Sequence, residues 1–165
     1  MVGRGNFSAL REGREKMLFS GHTYRNLDAK GRLVLPASIR DVLLERSPNG
    51  RFALTTYDGC IVGFPEPEWR AFAEKFGRIP NPSRQMRDFR RLVLGGAEMM
   101  ELDPLGRVRI PRGQMEYAGL EREAVIVGQA TRFEIWAQSA FKALINQDFN
   151  NVANELAASG IELGL

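Results

Sequence analysis

Residues 26–36 read NLDAKGRLVLP, and residues 101–111 read ELDPLGRVRIP. Both spell Leu-Asp-x-x-Gly-Arg-x-x-aliphatic-Pro, and their aspartates, Asp28 and Asp103, stand 75 residues apart. Leu27 and Leu102 close one side of each motif. Leu33 and Leu35, or Val108 and Ile110, alternate along the strand that follows, a period of two that buries one face. Asp28 and Asp103 suit the entry to a turn, where a carboxylate accepts backbone N–H groups. Gly31 and Gly106 permit positive φ or close backbone approach. Each motif therefore reads as a tight hairpin carrying one arginine, Arg32 or Arg107. Such an arginine either pairs with its aspartate and pins the loop, or projects toward a phosphate or a guanine edge.

The repetition extends outward from the motifs. ASIRDVLL (Ala37 to Leu44) and RGQMEYAGL (Arg112 to Leu120) each read as a short helix behind a proline, with Gly119 as a stop. FALTTYDGCIVGF (Phe52 to Phe64) and AVIVGQATRFEIW (Ala124 to Trp136) are hairpin signals, turning at Tyr57-Asp58-Gly59 and Gln129-Ala130-Thr131. PEPEWRAFAEKF (Pro65 to Phe76) and AQSAFKALINQDF (Ala137 to Phe149) read as amphipathic helices. Trp69, Phe72 and Phe76 share one face in the first; Phe141, Leu144 and Phe149 share one in the second. Each half is thus hairpin, short helix, hairpin, helix.

Pro80, Asn81 and Pro82 mark the boundary between halves. Ser83 is placed to cap a helix from Arg84 to about Leu94, which Gly95-Gly96 ends. Arg84, Arg87, Arg90 and Arg91 form a stripe along it, either a solvated face or a surface for phosphates or subunits. Met86, Phe89, Leu92 and Val93 form the apolar face.

The 165 residues are 44% hydrophobic and 26% charged, an ordinary balance for one domain or two small ones sharing a core. No run of about 18 apolar residues offers a membrane span. Residues 1–16 lack the apolar segment of a signal peptide and read as a flexible basic extension. With one cysteine, Cys60, and one histidine, His22, the chain has neither an internal disulfide nor a Cys/His zinc set. Cys60 reads as a buried small hydrophobe and His22 as a surface or hydrogen-bonded residue. Trp69 and Trp136 read as core or subunit interface, and Glu66, Glu68 and Glu74 as first-turn and solvated-face acids. No acid–base or metal constellation marks an enzyme, and no cofactor is expected. The net charge is +3, which permits nucleic-acid binding without demanding it.

Two like halves can pair about a pseudo-twofold axis. That would bring Lys30 and Arg32 near Arg107 and Arg109, a basic surface suited to DNA. The arrangement resembles the MraZ family, built from two tandem SpoVT–AbrB-like domains. The resemblance is carried by the paired Asp-x-x-Gly-Arg motifs with Pro36 and Pro111. YDGCIVGFPEPEW, RRLVLGGAEMMELDPLGRVRIP and YAGLEREAVIVGQATRFEIW carry it further, so that it covers about Met17 to Lys142.

The resemblance implies a β-rich α+β fold in which two swapped-hairpin halves form an intramolecular pseudo-dimeric β-barrel. The expected division is an extension over 1–16, domains over 21–68 and 97–140, a helical linker over 69–96, and a C-terminal helix and tail over 141–165. It implies a cytoplasmic, nucleoid-associated regulator, acting as a repressor. Its target would be the bacterial division and cell-wall gene cluster, including its own operon. Its partners would be double-stranded DNA, at promoter direct repeats, and further copies of itself in a ring, with no membrane. By motif match Arg32, Arg107 and Lys30 contact DNA, with Arg109 beside them, while Asp28, Gly31, Asp103 and Gly106 shape the loops. Leu105 stands where Lys30 stands in the first loop, so the second loop is expected to contribute fewer contacts. The alternative is an assembly or protein-interaction module whose basic loops are structural.

Overall fold

In a computed structural model, described over residues 17–164, the strands β1 (His22–Asn26) and β2 (Arg32–Val34) flank the first motif. Helix α1 (Ala37–Arg46) follows, then β3 (Phe52–Tyr57), β4 (Cys60–Pro65), α2 (Glu66–Gly77) and α3 (Arg84–Val93). The second half repeats the order with β5 (Glu98–Met100), β6 (Arg107–Arg109), α4 (Arg112–Ala118), β7 (Glu123–Gln129), β8 (Arg132–Ala137) and α5 (Gln138–Ile145). A last helix, α6, spans Val152–Ala158. The class is the expected β-rich α+β. The extension over 1–16 lies outside the described residues.

Local chemistry accounts for most element boundaries. Pro36 and Pro111 sit at the N-caps of α1 and α4, where a missing N–H costs nothing. Ser83 Oγ accepts the Met86 N–H at 3.1 Å, capping α3 as expected. Gly119 ends α4 in the left-handed region, with φ 63°. The β3–β4 turn uses Asp58 and Gly59 at φ 55° and 80°, a pair of left-handed residues that matches the twist of a two-residue hairpin.

The pairing departs from the local reading of the motifs. Each looks like a self-contained hairpin, yet β1 and β2 do not form a ladder with each other. β1 pairs antiparallel with β7, β3 with β5, and β2 with β6. The loop itself is closed by two bonds, Asp28 N–H to the Arg32 carbonyl at 2.9 Å and Gly31 N–H to the Asp28 carbonyl at 3.0 Å. Beyond them the chain splays. Leu27 N–H already donates to Arg122 of the other half, at 2.8 Å. The strands flanking the motifs, β1, β2, β5 and β6, therefore satisfy their backbone groups on the other half, the exchanged arrangement that the family resemblance implies, while β3–β4 and β7–β8 remain hairpins within their own halves.

The strand order is β1-β7-β8-β4-β3-β5, with β2–β6 as a separate ribbon. Exchanging each strand for its repeat counterpart reverses this order onto itself. The pseudo-twofold axis runs between β4 and β8 and through the Leu33–Val108 pair of the ribbon. The strands β1 and β5 end the sheet, and no ladder among the described residues joins them into a closed barrel.

The four central strands, β7, β8, β4 and β3, are buried on both faces, while β1 and β5 at the ends are largely exposed. Phe52, Leu54, Ile61, Ile126, Phe133 and Ile135 point to a core shared with Leu33, Leu35 and Val108 of the ribbon and Ile39, Val42 and Leu43 of α1. The alternate positions Cys60, Val62, Val125 and Trp136 lie under Phe141 of α5, and Ala53 lies under Trp69 and Val93. At the β4–β8 seam Gly63 faces Phe133, and any Cβ at Gly63 would intrude on that ring.

Two helical readings need correction. The helix expected to reach Phe149 ends at Ile145. Asp148 turns its carboxylate onto the Asn150 N–H at 3.0 Å, a local bond that competes with helix, and Phe149 is left exposed. Glu66 and Glu68 are more than a solvated face. Glu66 is buried and pairs with Arg70 at 2.8 Å, and Glu68 pairs with the Arg46 guanidinium. The Arg70 hydrogen bond, followed by those from Asn49 and the charge of Arg51, holds the Glu66 carboxyl below its usual range despite burial. Arg70 lies at i,i+4 on the same helix, but Arg46, Asn49 and Arg51 come from an earlier segment, which a helical wheel does not register.

Candidate nucleic-acid interface

The ribbon brings the two motifs together. Arg32 lies directly opposite Arg109, Leu33 opposite Val108, and Val34 opposite Arg107. Leu33 and Val108 are buried while their neighbours face outward, as the period of two requires. The ribbon is continued by Leu35 N–H to the Gly106 carbonyl at 3.0 Å and Ile110 N–H to Gly31 at 2.9 Å. The start of each short helix is thus tied to the loop of the opposite half.

The two loops have the same internal geometry. Gly31 and Gly106 both take φ 74°, which a side chain rarely adopts. Asp28 Oδ1 accepts the Lys30 and Arg32 N–H groups, each at 2.9 Å, and Asp28 Oδ2 accepts Arg32 Nε at 2.7 Å. Asp103 does the same for the Leu105 and Arg107 N–H groups and for Arg107 Nε, at the same distances. In both loops the backbone N–H of the arginine contributes most to holding the aspartate below its ordinary range. The arginine side chain and the neighbouring N–H reinforce it against partial burial.

The sequence left two roles open for these arginines, and the first is realised. Each pins its own loop through Nε. A guanidinium carries five N–H donors, however, and the pairing occupies one edge. The Arg32 and Arg107 side chains stay 32% and 26% exposed. Pairing with the aspartates also eases a direct juxtaposition of like charges, Arg32 against Arg109, which would otherwise weaken the ribbon. Among the described residues, Lys30 and Arg109 have no ion-pair partner, and both are exposed. They line one concavity together with Gly31 and Arg112. The structure therefore gathers Lys30, Arg32, Arg107 and Arg109 on one ribbon, with Asp28, Gly31, Asp103 and Gly106 setting its two ends.

The α3 stripe behaves differently. Arg84 and Arg91 pair with Asp88 at 3.2 and 2.7 Å. Arg87 donates to the Pro82 carbonyl at 2.8 Å, and Arg90 to the Gly77 carbonyl at 3.2 Å, closing the end of α2. Those side chains are engaged within the linker. Cys60 is fully buried, and burial followed by the Glu134 charge drives its thiol pKa upward, so it is no nucleophile. His22 is exposed and packs edge-on against Phe141 with ring centres 5.0 Å apart. Both tryptophans are buried in the core clusters.

One residue escaped the sequence reading. Arg40, on α1, lies against Gly106 of the second loop. The only local signal was its position one turn past Pro36, and its target is 66 residues away.

Fold and ribbon together define a class: a tandem duplication whose halves exchange strands and present paired Asp-x-x-Gly-Arg loops on one basic ribbon. The family model of the MraZ protein matches residues 18–92 and again 93–159. The chain is 59% identical over 146 residues to the transcriptional regulator MraZ of Nitratidesulfovibrio vulgaris strain Hildenborough, covering 88% of this chain and 98% of that protein. It is 54% identical to the namesake of Oleidesulfovibrio alaskensis over 88% and 98% of the two chains, and 43% identical to that of Maridesulfovibrio salexigens over 89% and 99%. The chain belongs to the MraZ family.

Proposed function

We propose that this protein is a transcriptional regulator that binds double-stranded DNA through the β2–β6 ribbon and its two loops. The observation that carries the reading is the convergence of Lys30, Arg32, Arg107 and Arg109 on one narrow two-stranded ribbon. A two-stranded ribbon fits the major groove. The loops are held rigid by their aspartates, so little ordering is left for binding to drive. The relatives' name, transcriptional regulator MraZ, supports the same reading.

The finer form of the proposal is a cytoplasmic, nucleoid-associated repressor of the division and cell-wall gene cluster that includes its own operon. It binds promoter direct repeats as a ring of copies. Each protomer offers few contacts, and adjacent repeats raise the effective affinity without new chemistry. An exposed aromatic cleft formed by Tyr57, Phe64, Phe72 and Phe89 supports self-association on a surface away from the ribbon residues. The mechanism invokes no cofactor and no catalytic step.

The competing reading is a protein-interaction module, favoured by the Nε pairs that already give both arginines a structural task. Salt separates the two. Four cations neutralising phosphates give a slope of log affinity against log salt of about −3.6, so binding falls about 150-fold between 50 and 200 mM salt. Arg32→Ala makes the slope shallower by about 0.9 while oligomer size is kept. A protein that leaves the DNA upstream of its own gene unshifted at low salt refutes the DNA reading.

A further inference from the structure

The two loops are unequal in sequence, Lys30 in one and Leu105 in the other, and the fold places a different cation at the poorer loop. Arg40 sits one turn into α1, where its N–H donates to the Pro36 carbonyl at 3.0 Å. The start of α1 is bound to the second loop, because Leu35 donates to Gly106. The Arg40 side chain consequently lies against Gly106. A Cβ built there would stand 3.0 Å from Arg40 Cδ and 3.3 Å from Cζ, and would collide with Nη1. Gly106 thus provides a seat for a guanidinium that any other residue would fill. At the matching seat in the first loop, Gly31 meets Met115 of α4, with Sδ at 3.5 Å. Arg40 and Met115 occupy the same place in the repeat, 75 residues apart.

The charge of Arg40 is not spent elsewhere. Among the described residues it forms no ion pair, and its buried Nε has no hydrogen-bond partner. A buried donor left without a partner is costly, and methionine fills the same seat at the other loop without that cost. Asp103, the acid of that loop, is already taken up by Arg107.

We infer that Arg40 is a DNA-contacting residue of the second loop, supplied by the opposite half of the chain and replacing the cation that Leu105 lacks. The inference rests on the DNA-binding reading above. Each loop then carries two cations, Arg32 with Lys30 and Arg107 with Arg40. The second loop is no weaker in charge than the first, contrary to what its sequence suggests.

Arg40→Met tests this with the side chain that the fold already accepts at the equivalent seat. The duplex upstream of the protein's own gene serves as the probe, titrated from 50 to 200 mM salt. The expected result is a shallower salt slope, by about 0.9, and a loss of affinity of about 3- to 10-fold at 150 mM. Oligomer size should be unchanged. Adding Leu105→Lys to that variant should restore most of the slope, because it gives the second loop the lysine of the first. Leu105 is 66% exposed, so the replacement disturbs no packing. An Arg40→Met protein with wild-type slope and affinity overturns the inference. So does a loss of binding that Leu105→Lys fails to restore, which would make Arg40 a prop for the loop. Failure of the unsubstituted protein to bind the duplex is a separate result, and it strikes the DNA reading itself.

Discussion

Cutting the chain between its halves should yield a first half, residues 17–96, that does not exist as a folded monomer. β1, β2 and the free edge of β3 find their partners on β7, β6 and β5, and β4 continues into β8. Four large side chains of the first half are covered by the second in ways the structure makes explicit. Leu33 faces Val108, and Ile61 faces Ile135. Phe19 and Phe52 pack their rings on Phe133, with centroids 5.5 and 5.9 Å apart. At about 1.5–3 kcal/mol for each buried side chain, uncovering these four costs about 6–12 kcal/mol. A domain's whole stability is about 5–15 kcal/mol, so the fragment has nothing left to fold with alone. It should instead pair with a second copy of itself. In that dimer the β4 seam would set Ile61 against Gly63 twice, a poorer fit than Phe133 on Gly63. Light scattering during gel filtration, with circular dichroism across a dilution series, reads the outcome. Folded signal should vanish on dilution as the dimer dissociates. A fragment that stays monomeric and melts cooperatively would refute the shared-core argument.

Other consequences are narrower. Gly63→Ala places a methyl into the fully buried Phe133 ring, which has no room to retreat. The expected cost is about 1–3 kcal/mol, seen as a fall in Tm of about 2–12 °C by calorimetry, and an unchanged Tm would contradict the close approach. Asp28 and Asp103 are held below the ordinary carboxylate value of 3.8 by their loop bonds. With the folded value depressed, their contribution is fully present above 3.8 and is lost as pH falls through the folded value. Carboxyl NMR titration should find both below 3.8, and Arg32→Ala should bring Asp28 back toward it. A native Asp28 titrating at 3.8 or above would disprove the pinned loop.

The sequence conveyed whatever local chemistry decides. The proline-led helices, the Asp58-Gly59 turn, the Ser83 cap and the Gly119 stop all follow from a few adjacent residues. The 75-residue repeat and the buried alternation of the ribbon strands were legible too. Which strand pairs with which was not, because an exchanged hairpin and a closed one share the same loop residues and the same period of two. The family resemblance, rather than the pattern, supplied the exchange. The same limit explains the candidate site. Asp28 to Arg32 is a contact at i,i+4 and could be foreseen as one of two options. Arg40 against Gly106 depends on the exchange itself, so no reading of residues 37–46 could have found it.

The unequal ends of the ribbon have a geometric meaning. A surface with true twofold symmetry looks the same after a half-turn, so it cannot tell which way a polymer runs beneath it. Here Lys30, with Met115 against Gly31, marks one end, and Leu105, with Arg40 against Gly106, marks the other. One end carries an exposed lysine of the loop itself, and the other a half-buried arginine of α1 set against the loop. The ribbon has a head and a tail, and a molecule laid across it meets a different surface when it is turned around.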